Sequence, residues 1–208
     1  MLAPVLVYVE QLHLVRCNCR HISSKYAISK EHFKHLKFLN VEENGIESWD
    51  EIVGFRTLPV LKRLTLSKNK IREIYYKPGF NDLYMITIED NLLDSWSSFD
   101  ALNQFKGITT VRCTGNPVLE KAGIAGRNLV ISRLQYLKSI NGSEIHTQER
   151  RDAELHYLKR TYEEYVQANS QTRVELTDEA LQKHMMEQHP RWYELVETYG
   201  SPIDLVSL

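Results

Sequence analysis

Residues 61–74 read LKRLTLSKNKIREI. Apolar side chains stand at Leu61, Leu64, Leu66, Ile71 and Ile74, with Asn69 between them. The spacing recurs on both sides. Residues 36–49, LKFLNVEENGIESW, place Leu36, Leu39, Val41, Asn44, Ile46 and Trp49 in the same slots. Residues 83–96 place Leu83, Ile86, Ile88, Asn91, Leu93 and Trp96 there, and residues 108–118 place Ile108, Val111, Cys113, Asn116 and Val118. A less regular first copy runs through Val9, Leu12, Leu14, Cys17, Cys19 and Ile22. The Asn or Cys slot falls at 17, 44, 69, 91 and 116, so the period is 27, 25, 22 and 25 residues.

Five copies of LxxLxLxxNxI in register are the pattern of a leucine-rich repeat. Side chains alternate along a strand, so both leucines of the LxL pair point to one side and fill the interior of the coil. The Asn stands where the chain leaves the strand, and its amide can serve backbone groups that would otherwise be buried without partners. One repeat cannot hide its apolar side, so neighbours must stack. The predicted fold class is α/β: a leucine-rich-repeat solenoid of five parallel strands with a C-terminal capping repeat and an α-helical tail. The division expected is 1–145 for repeats and cap, and 146–208 for a helical extension.

The return segments are expected to hold short helical turns. Asp50 is a candidate N-cap for EIVGF, and Ser97-Ser98-Phe99-Asp100 supplies a cap with an acid three residues on. The return after Ile74 contains Pro78-Gly79 and reads as a turn. Beyond Asn116-Pro117, Leu134, Leu137 and Ile140 keep a three-residue spacing, and Asn141-Gly142 marks a turn. Thr147 is a candidate cap for a helix whose apolar face is Leu155, Leu158, Tyr162 and Val166. Residues 169–176 read as a linker, and Thr177 as the cap of a helix near 178–188. After Pro190, Trp192, Leu195, Val196 and Tyr199 form a helical stripe stopped by Gly200. That stripe is expected to dock on the chain's own last repeats.

Composition excludes several classes. The 208 residues carry 26 basic and 27 acidic side chains, so no global positive field draws the chain onto nucleic acid. No stretch approaches the roughly 18 apolar residues of a membrane span. Residues 2–9, LAPVLVYV, lack the basic flank and small-residue cleavage site of a signal peptide. Three cysteines without secreted context argue against a disulfide framework and for a reducing compartment.

Catalytic patterns are missing from the sequence. Cys17-x-Cys19 followed by His32-x-x-His35 is the one arrangement resembling a zinc site. The repeat gives both cysteines structural places as small buried residues, and sets both histidines on a return segment, so no metal site is expected. Cys113 fills a leucine slot and should be inert. Asn141-Gly142-Ser143 fits a glycosylation sequon that intracellular placement would leave silent. Trp49, Trp96 and Trp192 read as core anchors. Neither a cofactor nor an enzymatic activity is expected.

Binding is the remaining function, and strand alternation says where. The residues flanking the inward leucines are Gln11, His13 and Val15, then Phe38, Asn40 and Glu42, then Arg63, Thr65 and Ser67. Met85, Thr87 and Glu89 follow, then Thr110, Arg112 and Thr114. Phe38 and Met85 put apolar bulk on this concave face, and Glu42, Arg63, Glu89 and Arg112 put charge around it. Such a composition is common in protein interfaces.

Three stretches carry a resemblance: DSWSSFDALNQF (94–105) with CTGNPVL (113–119), RLQYLKSINGSEIHTQERRDAELHYLKR (133–160), and HPRWYELVETYGSP (189–202). Together they resemble the tubulin-folding cofactor E family over roughly residues 36–205. The ER–AEL element is shared with spliceosomal and phosphatase-regulating repeat proteins, so an adaptor of a ribonucleoprotein or phosphatase is the alternative. HPRWYELVETYG is more particular. The resemblance implies a cytoplasmic, cytoskeleton-associated chaperone that handles α-tubulin during assembly and disassembly of the heterodimer, with tubulin-folding cofactors D, C and B as partners. That family carries a glycine-rich cytoskeleton-associated domain before the repeats and a ubiquitin-like domain after them. Neither is found here, so the chain is expected to be a fragment or short form.

Overall fold

The computed structural model describes residues 6–22, 32–170, 183, 185 and 188–201. The chain divides into two compact units, Met1–Arg127 with Leu134–Ile145 and Asn128–Arg133 with His146–Leu208. The linker at 169–176 and the Thr177-capped helix near 178–188 lie, apart from positions 169, 170, 183, 185 and 188, outside the described residues.

The first unit is a leucine-rich-repeat array. Its strands are β1 Gln11–His13, β2 Phe38–Asn40, β3 Arg63–Thr65, β4 Met85–Thr87, β5 Thr110–Arg112, β6 Ser139–Ile140 and β7 Ser143–Glu144. They form one sheet in sequence order. Pairing is parallel from β1 to β6, and β6–β7 is an antiparallel hairpin. Its two-residue turn is Asn141-Gly142 with φ of 52° and 86°, the left-handed pair that suits a tight hairpin. The register sets Leu39, Leu64, Ile86, Val111 and Ile140 side by side, and all five are buried. A second buried row is Val41, Leu66, Ile88 and Cys113. Emptying one such site leaves a cavity that packed neighbours fill only in part, so Leu64→Ala should cost about 2–5 kcal/mol in a denaturant melt. A loss under about 1 kcal/mol would contradict the inward row.

Each Asn slot performs the backbone service expected of it, and links repeat to repeat. Asn69 Oδ1 accepts the Asn44 and Ile46 N–H groups at 3.0 Å each, while its Nδ2 donates to the Val41 and Leu66 carbonyls at 3.0 and 2.9 Å. Asn44, Asn91 and Asn116 repeat the pattern. The preceding residue is left-handed in all five copies, at Arg16, Glu43, Lys68, Asp90 and Gly115. Only one of the five is glycine, so residue type gave no sign of it.

The return segments depart from the sequence reading at their caps. Helix α1, Trp49–Val53, is capped by Ser48, whose Oγ accepts the Asp50 N–H. Asp50 therefore sits in the first turn. Helix α2, Ser97–Asn103, starts at Ser97, and the hydroxyl that reaches its N–H is Ser95 Oγ at 3.2 Å. Ser98 instead turns inward and accepts the Ile74 N–H at 3.0 Å. The Pro78-Gly79 return has no helix. A Cβ on Gly79, with φ 133°, would stand 2.8 Å from the Arg56 carbonyl oxygen, so the close approach requires glycine. Trp49 is buried and donates Nε1–H to the Tyr75 carbonyl at 2.8 Å. Trp96 is only half-buried, tilted against Phe99. Helix α3, Pro117–Ala122, follows Asn116.

Helix α4, Gly126–Arg133, leads into the second unit, which holds α5, Thr147–Ser170, and α6, Trp192–Tyr199. Thr147 is the first residue of its helix rather than the cap before it. The buried face of α5 is Ala153, Glu154, Tyr157, Leu158, Thr161 and Tyr165. It is rotated from the expected one, leaving Leu155, Tyr162 and Val166 half-buried. Two buried polar residues on that face, Glu154 and Thr161, are ones an apolar count passes over. Glu154 receives Arg191 Nη1 at 3.0 Å, Arg150 Nη1 at 3.3 Å and the Tyr199 hydroxyl at 2.8 Å. Arg191 also donates to the Ser132 carbonyl and, at 2.5 Å, to Glu194. Trp192 and Leu195 are buried, and α6 packs on α5.

Two phenols are held neutral. Burial, then the hydrogen bond to Asp50, pushes Tyr75 up to about 12. Burial, then the bond to Glu154, pushes Tyr199 up to about 12. A raised phenol stabilises the fold fully below its unfolded pKa of about 10, and that contribution is lost as pH rises toward 12. A spectrophotometric titration should show late-ionising tyrosine, with Tyr75→Phe and Tyr199→Phe each removing one equivalent of it. Ionisation of every tyrosine near pH 10 with the fold intact would contradict these contacts.

Candidate protein-binding face

The outward side chains of the sheet fall into rows fixed by the register. Gln11, Phe38, Arg63, Met85 and Thr110 are successive neighbours. His13, Asn40, Thr65, Thr87 and Arg112 form the next row. The ladder continues past the strand ends, since the Glu43 N–H bonds to Ser67 O, Lys68 N–H to Glu89 O and Asp90 N–H to Thr114 O. Glu42, Ser67, Glu89 and Thr114 therefore follow the same order one step further along.

Phe38, Arg63 and Met85 are brought together. The Arg63 guanidinium lies over the Phe38 ring, 4.7 Å from its centroid. The His13 ring meets the other side of Phe38 edge-on at 5.0 Å. An exposed cation–aromatic contact is worth about 0.5–1 kcal/mol, enough to hold an otherwise mobile arginine in place. Phe38 and Met85 are half-buried and Arg63 is exposed. The centre is thus two apolar residues with a cation between them in the row, stacked on Phe38.

The other three predicted residues surround this centre at a distance. Glu42 pairs with Lys68 at 3.0 Å, and the hydrogen bond that Lys68 donates to that carboxylate raises the Lys68 pKa. Glu89 accepts the Thr114 hydroxyl at 3.0 Å. Arg112 is exposed on β5. Ser67 and Thr87 were expected on the surface but are buried. Ser67 is short and lies between Glu42 and Glu89, whose longer side chains cover it. Lys68 was not anticipated, because its left-handed backbone takes it out of the alternation that governs the strand.

The cysteines divide. Cys113 is buried, and burial followed by the nearby Glu89 charge pushes its thiol up to about 12. Cys17 is exposed and Cys19 half-buried, against the expectation that both fill the core. Their turn follows β1, an edge strand of the sheet, so among the described residues the Asn44 turn flanks it on one side and no further repeat flanks it on the other. Among the described residues, no three His, Cys, Asp or Glu side chains converge on one point, and no helix is long and apolar enough to cross a membrane.

No family model matches the chain. Among solved structures, the complex of Drosophila melanogaster SNF and U2A′ aligns with 70% of this chain and 91% of the matched one, at a TM-score of 0.54 and 20% identity. That likeness speaks to the repeat fold. Among curated proteins, tubulin-folding cofactor E of Arabidopsis thaliana is 28% identical over 204 residues, covering 92% of this chain and 36% of the plant protein. Tubulin-specific chaperone E of Xenopus laevis is 27% identical over 203 residues, covering 93% of this chain and 38% of the frog protein. The chain thus spans about a third of the length of these curated relatives. The chain is homologous to tubulin-folding cofactor E over most of its own length.

Proposed function

We propose that this chain is a tubulin-binding chaperone-cofactor module, and that the outward face of its sheet contacts α-tubulin during heterodimer assembly and disassembly. The observation that carries the proposal is the row Phe38, Arg63 and Met85, in which Arg63 stacks on Phe38 beside Met85, on a repeat array homologous to cofactor E. Glu42, Glu89 and Arg112 stand around it as steering charges. The work is done through protein contacts rather than catalysis. Tubulin-folding cofactors D, C and B are the further partners, and the setting is the cytoplasm beside the microtubule cytoskeleton.

The test is equilibrium binding of purified α/β-tubulin. Central aromatic anchors carry more of an interface than rim charges do. Phe38→Ala should weaken binding by about 2 kcal/mol, roughly thirtyfold. Arg63→Glu or Arg112→Glu alone should cost less and act mainly on the association rate, with a salt dependence. If Phe38→Ala binds as the parent does, the face is wrongly assigned. If the parent captures ribonucleoprotein or phosphatase subunits from cytosol instead of tubulin, the module belongs to another system.

A further inference from the structure

We propose that Cys17 and Cys19 form a dithiol site that exchanges with small-molecule disulfides of the glutathione type and closes a Cys17–Cys19 disulfide. Both backbone N–H groups donate to one oxygen, Asn44 Oδ1, at 2.9 and 3.0 Å. Asn18 between them is left-handed, with φ 54°, as is Arg16 before them. Two residues can span about 7 Å at full extension. Donation to one shared oxygen holds the two residues closer than that, within reach of the Cα separation of about 4.4–6.8 Å that a disulfide accepts.

The side chains divide the chemistry between them. Cys17 is exposed, and its Sγ stands 3.4 Å from the Val15 carbonyl. Cys19 is half-buried, and its Sγ is folded back to 3.6 Å from the Cys17 carbonyl, over the residue it would join. Burial, then the neighbouring Cys17, raises the Cys19 pKa, which suits a thiol that acts second. Two sulfurs are half of a tetrahedral metal site, and no third ligand converges on them among the described residues. Exchange therefore fits better than metal binding.

The reaction balances as two displacements. The Cys17 thiolate attacks one sulfur of glutathione disulfide, forming a mixed disulfide and releasing one glutathione thiolate, which takes up the proton Cys17 gave. The Cys19 thiolate then attacks Cys17 Sγ and displaces the second glutathione, which takes up the proton of Cys19. The protein loses two electrons and two protons, and one disulfide is reduced to two thiols.

The experiment is incubation of the full chain with oxidised glutathione, followed by alkylation, intact mass and peptide mapping, with Cys113 as the internal reference. The expected product is lighter by two hydrogens, carries no glutathione, and joins Cys17 to Cys19. Cys113 should react at least about tenfold more slowly. Cys19→Ser should stop the reaction at a glutathione adduct on Cys17. A stable adduct on Cys17 in the unsubstituted chain would overturn the proposal, as would reaction of Cys17 and Cys19 no faster than Cys113. Because the readout is covalent and needs no tubulin, it stands or falls apart from the binding face.

Discussion

Replacing Asn69 with alanine is expected to cost the repeat unit about 4 kcal/mol, with the midpoint of its denaturant transition shifted to match. The substitution removes little apolar surface, so the loss is one of hydrogen bonds. Three backbone groups depend on this amide, the N–H groups of Asn44 and Ile46 and the Val41 carbonyl, while the Leu66 carbonyl also accepts from Asn91 Nδ2 at 3.0 Å. A buried group left without a partner costs about 1–3 kcal/mol, and water entering the vacated space offsets part of the sum. Asn40 is the control. It lies half-buried on the outward face, and its Oδ1 accepts one N–H, that of Glu42, at 2.9 Å. Asn40→Ala should cost less than about 1 kcal/mol. Equal losses at both positions would show that the amide ladder does not hold the repeats together.

The second large effect is expected in the helical unit. Glu154→Leu should destabilise it by about 3 kcal/mol, because the Arg191 guanidinium would lose its buried carboxylate and keep, of its two acids, the partly exposed Glu194. Both groups are nearly inaccessible, with side chains 5% and 6% exposed. Burial acts to lower the Arg191 pKa, and the hydrogen bonds and charges of Glu194 and Glu154 outweigh it. The cost therefore belongs to the broken pair rather than to the pair's own worth. A double variant, Glu154→Leu with Arg191→Met, should recover most of the loss, since apolar residues of similar volume replace buried ion pairs at little cost. Failure of the double variant to recover would move the explanation to the Ser132 carbonyl and Tyr199 hydroxyl, which lose their partners as well.

The repeats were legible because their signal is periodic. A strand sends alternate side chains inward, so Leu64 and Leu66 declare their burial by spacing alone. The Asn slot declares its role through chemistry, since few side chains both donate and accept at one turn. The left-handed residues before that slot were hidden, because Glu43, Lys68 and Asp90 are not the types that mark such a backbone. Glu154 and Arg191 were hidden for a different reason. They are 37 residues apart, and each alone looks like a solvated charge; only their meeting makes burial affordable. The outward rows were legible down to the residue, yet Ser67, short between Glu42 and Glu89, is buried, and so is Thr87. The Cys17-x-Cys19 pair was read as core from its slots, and the edge position of β1 reverses that reading.

The account rests most heavily on contact between the outward face and α-tubulin. Site-specific photocrosslinking from position 85 tests it directly, with position 124 as the reference. Met85 stands at the centre of the face, beside Arg63. Ile124 is fully exposed in the 3₁₀ turn Gly123–Ala125 of the same unit. With purified tubulin, a photoreactive residue at 85 should crosslink to the α subunit, and one at 124 should not. Equal crosslinking from both positions, or crosslinking from 124 alone, would contradict the assignment of the face.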